Sequence, residues 1–188
     1  IGDVCQSSIA FDSRLAVGSY FACNIVLDGS IKCWGRNDNG QLGDGTYDDN
    51  FIPSPTVSLG VGRTAVSISA GASHICALLD DSSLVCWGSN QNGQLGDGTT
   101  DHRNTPTEVS PFPTGLLPVS ISAGASHTCA ILDDGTIWCW GGNANGRLGD
   151  GTVDDRLIPT ITQSLGPGRR AIKVASGTGH TCAILDDN

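Results

Sequence analysis

Paired cysteines are the residues of this sequence whose spacing most directly predicts chemistry. The pairs Cys23–Cys33, Cys76–Cys86 and Cys129–Cys139 each span ten residues around a central aspartate. A three-residue hairpin loop around that aspartate would place the two thiols opposite each other, with Cα atoms about 4.5–5.5 Å apart. This separation overlaps disulfide geometry, so we expect three bridges, each contributing about 2–3 kcal/mol by the chain-entropy estimate. Buried free thiols are the alternative, and zinc is disfavoured because its ligands usually lie about two to four residues apart.

The predicted hairpin loops also need one residue in the left-handed backbone conformation. This residue is the last of the loop, a position that glycine occupies at little cost. Gly29 and Gly135 stand there in the first and third hairpins, and Ser82 is the less suitable residue of the second.

Three of the four histidines recur at one spacing, as His74, His127 and His180, with Phe21 at the equivalent earlier position. A histidine that phenylalanine can replace is best explained as a packed residue, although catalysis and metal binding are also chemistries of this side chain. The fourth, His102, lies in a polar loop with no obvious partner. We therefore expect a structural role for the three recurring histidines.

Aspartates recur in pairs within glycine-rich turns. Asp44, Asp97 and Asp150 are each followed four residues later by a second aspartate, at Asp48, Asp101 and Asp154. Carboxylate pairs can bind calcium, but the full calcium-loop spacing and its bidentate glutamate are missing. Aspartate also stabilises turns by accepting hydrogen bonds from nearby backbone, and this is the interpretation that we favour.

Motifs of catalysis and cofactor binding are missing from the sequence. It contains neither a phosphate-binding glycine loop with a lysine nor a Gly-x-Ser-x-Gly nucleophile motif. We therefore expect no enzyme activity, no catalytic residues, no cofactor and no bound metal.

The cysteines lie within a tandem repeat. The segment Cys-Trp-Gly occurs at 33–35, 86–88 and 139–141, each time 53 residues further on, followed by Asn-x-x-Gly-(Gln/Arg)-Leu-Gly-Asp-Gly-Thr. Such strict periodicity indicates an array of structural units. The units are 13–65, 66–118, 119–171 and a partial 172–188, preceded by an N-terminal strand segment at 1–12.

Each unit is predicted to consist of short strands. A strand, a glycine break and a hairpin are followed by residues typical of turns at 37–64, 90–117 and 143–170. One more short strand is expected near 56–58. No segment has the apolar periodicity of a helix, so the predicted class is all-β.

The amino-acid composition disfavours some classes of function. The net charge of −9 and the pI near 4.5 disfavour nucleic-acid binding. No apolar run approaches the length of about 18 residues that spans a membrane. Eight cysteines are typical of an oxidising compartment. The absence of methionine and the initial Ile1 indicate a processed, excised or partial chain.

The motif Gly-x-x-His-(Thr/Ile)-Cys-Ala-(Ile/Leu)-Leu-Asp-Asp, followed by Cys-Trp-Gly-x-Asn-x-x-Gly-Gln-Leu-Gly, resembles the repeat of the regulator of chromosome condensation family. The resemblance covers nearly all of 13–188 and implies a β-propeller, with blades of about four short antiparallel strands. It places the recurring histidines near the propeller axis. Residues expected to fill the space between blades are Trp34, Trp87 and Trp140.

The founding members of that family exchange nucleotide on a Ran-type GTPase and bind chromatin. This sequence departs from them in its paired cysteines, its lack of a large insertion and its lack of a basic tail. We therefore expect a secreted, non-enzymatic module for protein–protein interaction or extracellular assembly, presenting loops at 47–56, 100–114 and 153–170. The alternatives are a guanine-nucleotide exchange factor and a carbohydrate-binding lectin, for which Trp138 would be the exposed contact aromatic.

Two cysteines remain outside the three pairs. Cys182 has no cysteine ten residues later, and Cys5 is out of register with every other cysteine. If residues 1–5 followed Asn188, Cys5 would stand eleven positions beyond Cys182. We predict that Val4 and Cys5 supply the missing strand and that Cys5 bonds Cys182. This bond would close a small propeller within one chain or join copies head to tail. In a longer array, residue 192 would be a cysteine instead.

Overall fold

The protein is described by a computed structural model that covers residues 14–186, and this region is all-β. It contains three four-stranded antiparallel sheets and one two-stranded sheet, each with its strands in chain order. The first sheet consists of β1 (Leu15–Val17), β2 (Phe21–Ile25), β3 (Ile31–Gly35) and β4 (Asn50–Pro55). The second consists of β5 (Ala65–Ala70), β6 (His74–Leu79), β7 (Leu84–Gly88) and β8 (Arg103–Glu108). The third consists of β9 (Pro118–Ala123), β10 (His127–Leu132), β11 (Ile137–Gly141) and β12 (Arg156–Ile161). The fourth consists of β13 (Ala171–Ser176) and β14 (Thr181–Leu185).

The central hairpin of each four-stranded sheet has the predicted three-residue loop. In the first, the Gly29 N–H donates to the Val26 carbonyl at 3.0 Å, and Gly29 adopts a φ of +80°. Gly135 adopts a φ of +81° at the equivalent position, and Ser82 one of +64°. The left-handed position is therefore used in all three hairpins, including the one without glycine.

The fourth strand of each sheet differs from the sequence prediction. It lies at Asn50–Pro55 in the first sheet, and not near 56–58. The reason for the error is proline: Pro53 and Pro55 are typical of loops, yet they are tolerated on an outer strand that needs hydrogen bonds on one side only. Six residues of each segment predicted as loop thus form the outer strand of a blade, as in β8 and β12.

Neighbouring sheets meet along their first strands, so that β1, β5, β9 and β13 lie side by side. Backbone hydrogen bonds join the turns that follow these strands, from Ser19 N–H to the Ala72 carbonyl at 3.0 Å and from Ala125 N–H to the Gly177 carbonyl at 3.2 Å. The sheets therefore succeed one another as propeller blades, with the first strand innermost and the fourth outermost. The predicted all-β propeller architecture of four-stranded blades is confirmed.

The apolar core lies between consecutive blades. The second strands of the second and third blades, β6 and β10, are buried on both faces, whereas β2 of the first blade is half-buried on one face. No helix within residues 14–186 is long and apolar enough to cross a membrane.

Candidate functional site

The three cysteine pairs form disulfides in the structure. Each pair has a Cα–Cα distance of 4.1 Å, slightly below the expected range. The paired residues face each other at a position where the two strands exchange no backbone hydrogen bond, which is where Cα atoms approach most closely. All six cysteines are buried, so each bridge is an internal cross-link between the two strands of the central hairpin of a complete blade.

Cys182 has no disulfide partner within residues 14–186, and its side chain is exposed. Cys5 lies outside the described residues. The Cys5–Cys182 bond stays a prediction.

The recurring tryptophans lie at blade interfaces. Trp87 and Trp140 are fully buried, and each indole N–H donates to a backbone carbonyl of the preceding blade, that of Gln41 at 3.1 Å and that of Gln94 at 3.0 Å. Trp34 is only partly buried, because no blade precedes it in the described part of the chain. The indole thus provides both apolar area and a directional bond to the neighbouring blade.

Two of the recurring histidines also bridge blades. His74 Nε2 lies 2.9 Å from Thr128 Oγ1, and His127 Nε2 lies 2.8 Å from Thr181 Oγ1. The Thr128 hydroxyl donates its hydrogen to the Gln94 carbonyl at 2.9 Å. His74 must therefore be the donor through Nε2, and its buried Nδ1, which has no partner among residues 14–186, is the unprotonated nitrogen.

Burial keeps both histidines neutral. Loss of hydration lowers the pKa of His74 to about 3, with a smaller contribution from His127. The same effect, with Arg147 and His180 nearby, lowers the pKa of His127 to about 4. At neutral pH these side chains are enclosed, neutral hydrogen-bonding groups, which fits a packing role and does not fit proton transfer.

His180 differs from the other two. It is exposed, and the expectation of a packed residue stays a prediction for it. The physical reason for the exposure is that β14 is the last described strand, so nothing within residues 14–186 covers this side of the fourth sheet.

The first aspartate of each pair accepts hydrogen bonds within its glycine-rich turn, as Asp150 shows in most detail. Asp150 accepts from the Thr152 backbone N–H at 2.9 Å, from Arg156 Nε at 2.7 Å and from Asn143 Nδ2 at 3.1 Å. Burial alone would raise the pKa of Asp150, but these hydrogen bonds outweigh it and lower the pKa to about 2. The donors occupy the oxygens that a cation would need, which supports the turn interpretation.

His102 has a partner that the sequence analysis missed. Its Nδ1 accepts a hydrogen bond from the backbone N–H of Asn90 at 2.9 Å. In the other two blades an aspartate takes this place: Asp49 accepts from Asn37 N–H, and Asp155 accepts from Asn143 N–H, both at 2.7 Å. The signal was available, because these three residues are 53 positions apart.

Trp138 is not the exposed aromatic that was expected. It is half-buried, its Nε1 donates to Thr136 Oγ1 at 3.0 Å, and its ring meets Phe112 edge-on at 6.2 Å between centroids. Phe112 also contacts Trp140. Across residues 14–186, no group of three or more His, Cys, Asp or Glu side chains is placed to hold a metal ion.

The outer rim exposes large apolar side chains on two of the blades. Tyr47 and Ile52 are 51% and 68% exposed on the first blade, and Val153 and Ile158 are 68% and 51% exposed on the third. At the equivalent positions the second blade carries polar residues, Thr100 and Thr105. These four apolar residues, the rim residues, lie within the segments expected to present loops, although Ile52 and Ile158 belong to outer strands.

Comparison with known proteins identifies similar chains. Ultraviolet-B receptor UVR8 of Arabidopsis thaliana is 38% identical over 154 residues, which are 82% of this chain and 34% of that protein. The human E3 ubiquitin-protein ligase HERC2 is 30% identical over 176 residues, which are 93% of this chain and 4% of the ligase. The chain thus spans a small part of these relatives.

A solved structure shares the fold. The crystal structure of Prp20p from Saccharomyces cerevisiae superposes with a TM-score of 0.79 at 23% identity, covering 90% of this chain and 42% of that one. The family pattern of the regulator of chromosome condensation (RCC1) repeat matches residues 28–78, 81–131 and 134–184. These matches span most of the described sequence, and the chain belongs to the RCC1 repeat family.

Proposed function

We propose that this chain is a secreted, non-enzymatic propeller module that binds other proteins or copies of itself through its outer rim. The observation that carries the proposal is the set of rim residues, because these exposed apolar side chains stand where the blade between them has threonine. Two blades carry them and the blade between them does not, although all three share one backbone plan.

The disulfides support the secreted location that we propose for this protein. A buried bridge in every complete blade is consistent with an oxidising environment, and secretion is the extension of this that we propose. The net charge of −9 supports a protein partner over a nucleic acid.

The repeat itself supplies a matched test. The rim variant gives the first and third blades the threonines that the second blade has at these positions. Its substitutions are Tyr47→Thr, Ile52→Thr, Val153→Thr and Ile158→Thr. The blade interiors are unchanged, so unfolding of the variant should match that of the native chain.

Sedimentation measures self-association of the native protein and of the rim variant. Cross-linking in the extracellular fraction of cells that express either protein captures its partners. We expect a contact formed by the native protein to be lost in the rim variant. If the rim variant keeps every self-association and partner contact of the native protein, the proposed role of the rim residues is refuted. Stimulated nucleotide release from a Ran-type GTPase by catalytic amounts of the chain would favour the exchange-factor alternative.

A further inference from the structure

Tyr47 presents an exposed phenol in the loop that precedes the outer strand of the first blade. It is 51% exposed, and every residue of 45–49 around it is exposed as well. Neither its phenol oxygen nor its backbone N–H and carbonyl makes a hydrogen bond to any residue within 14–186. The conformation of the loop therefore does not depend on this side chain, and its oxygen is open to reaction.

The exposure of Tyr47 belongs to its position in the repeat. The equivalent residues are Thr100 and Val153, and both are exposed. The second blade, which carries Thr100, has another blade on each side. The same position is thus open to solvent even where both neighbouring blades are present.

Carboxylates surround this phenol. Asp44 stands three residues before Tyr47, and Asp48 and Asp49 follow it directly. The segment 37–62 contains no Lys, Arg or His, and none of the three aspartates forms an ion pair with a residue of 14–186. The loop therefore carries an uncompensated negative charge.

The other two blades neutralise part of that charge with an arginine. The ion pairs are Arg103 Nε with Asp97 at 2.8 Å and Arg156 Nε with Asp150 at 2.7 Å. In the first blade Asn50 stands at the position of these arginines, so Asp44 has no cationic partner there. The blade that carries the tyrosine is thus also the blade that lacks the arginine.

An exposed phenol among uncompensated carboxylates fits an enzyme whose acceptor cleft is basic, because opposite charges steer the two together. Sulfation of tyrosine is such a reaction, and it takes place in the lumen of the secretory pathway. That compartment is oxidising, as the three buried disulfides require. We propose that Tyr47 is sulfated on its phenol oxygen by a tyrosine sulfotransferase.

The reaction is a transfer of a sulfuryl group. The phenol oxygen of Tyr47 attacks the sulfur of an adenosine phosphosulfate, which is the donor. An O–S bond to Tyr47 forms as the S–O bond to the donor phosphate breaks, and the adenosine phosphate leaves. The phenol proton passes to a base of the sulfotransferase. No group is oxidised or reduced, and the product is an anionic aryl sulfate.

Sulfation changes the kind of partner that the first blade can bind. The sulfate places an anionic group beside Ile52, whereas the third blade stays apolar at Val153 and Ile158. A partner of the first blade therefore needs a basic group, which a partner of the third does not. The proposal goes beyond the proposed function and rests on it for the secreted location alone.

The test uses the folded, disulfide-bonded chain, a purified tyrosine sulfotransferase and a radiolabelled phosphosulfate donor, with the label located by peptide mapping. Tyr20 is the internal control. It is 71% exposed, but no Asp or Glu stands within 13–27, and Arg36 lies over its ring at 5.7 Å. We expect Tyr47 to take up at least about tenfold more label than Tyr20. This reaction does not need secretion, so its failure differs from failure of the secreted location, which would appear as retention of the chain inside cells.

Two variants at one position separate charge from size. Asn50→Arg gives the first blade the arginine of the other two and should lower the labelling of Tyr47 about threefold or more, because the cation neutralises Asp44. Asn50→Gln has a longer side chain without the charge and should change the labelling less than about twofold.

The third blade offers the reciprocal test in a Tyr47→Phe background. Val153→Tyr combined with Arg156→Asn gives this blade a phenol with the carboxylate spacing of the first blade, and should restore labelling. Val153→Tyr alone keeps the ion pair of Arg156 with Asp150 and should be labelled about threefold less.

No label on Tyr47, equal label on both tyrosines, or equal label in Asn50→Arg and Asn50→Gln would overturn the proposal. The chain secreted by cells that sulfate tyrosine should carry a group on Tyr47 that mild acid removes and alkaline phosphatase does not. A phosphatase-sensitive group on Tyr47 would overturn the proposal in favour of phosphorylation.

Discussion

At the scale of single residues, buried polar side chains hold loops and blades in fixed positions. Asn37, Asn90 and Asn143 are fully buried, and each makes side-chain hydrogen bonds within its own turn-rich loop. Unpaired polar groups in such places would be costly. The recurrence of these residues therefore reflects construction of the repeat, and not a site repeated three times.

Replacing His102 with aspartate should stabilise the protein. The His102→Asp variant gives the second blade the acceptor that the first and third already have, Asp49 and Asp155. A carboxylate accepts more strongly than a neutral ring nitrogen, so we expect the free energy of unfolding to rise by about 1 kcal/mol. Chemical denaturation at neutral pH measures this. The matched change Asp49→His should have the opposite effect, and a destabilised His102→Asp variant would contradict the equivalence of these positions.

The blade interfaces use two interchangeable side-chain pairs. His74 bonds Thr128 across the second interface, whereas the equivalent residues of the first interface, Phe21 and Ile75, are buried in one apolar cluster. The double variant His74→Phe with Thr128→Ile should therefore be tolerated, because it transfers the first pair into the second interface.

Each single change should cost more than the double change. His74→Phe removes the donor to the Thr128 hydroxyl, and Thr128→Ile leaves a buried histidine donor unpaired, each for about 1–3 kcal/mol. A double-mutant cycle from denaturant unfolding should show a favourable coupling of at least about 1 kcal/mol. Additive effects of the two changes would show that the pair does not act as a unit.

At the scale of elements, the success of prediction depended on where the determinants lie. The hairpins were predictable because their determinants lie close together in the sequence. These are the length of the loop, the central aspartate, and the glycine at position 29 or 135. The outer strands were not, because Pro53 and Pro55 suit an edge strand only once a neighbouring strand defines that edge. The exposure of His180 was also beyond sequence reasoning, since it depends on which strands cover β14.

Ser82 offers a test of the hairpin loop. It adopts a φ of +64°, which is costly for a residue with a Cβ atom. Ser82→Gly should stabilise the protein by about 0.5–1 kcal/mol, measured by thermal or denaturant unfolding.

The reciprocal change is the control for this hairpin. Gly29→Ser should destabilise the first blade, because a Cβ atom at Gly29 would lie 2.5 Å from Thr64 Cβ in addition to the backbone strain. A destabilising Ser82→Gly would mean that chain entropy, and not backbone strain, dominates at this position.

At the scale of the whole molecule, the interfaces between blades make stability depend on pH. The pKa values of His74 and His127 are lowered to about 3 and about 4, against about 6.5 in an unfolded chain. Between these limits the unfolded chain takes up protons that the folded chain does not. The contribution of the two neutral histidines to the free energy of unfolding is therefore fully present above pH 6.5, and it is lost as the pH falls towards 4.

We therefore expect the free energy of unfolding to decrease from pH 7 to pH 5, with a slope that approaches about 1.4 kcal/mol per pH unit for each of the two histidines. Carboxylates whose pKa values are lowered, such as Asp150, act in the same direction but only near pH 4 and below, where the unfolded chain protonates. Denaturant unfolding at pH 7, 6 and 5 measures the slope. The His74→Phe, Thr128→Ile double variant is the control, because it removes one of the two histidines while keeping the interface packed, so its slope should be shallower by that histidine's share. An identical slope in both proteins would show that His74 takes up a proton in the folded state, and would contradict its assignment as an enclosed neutral donor between blades.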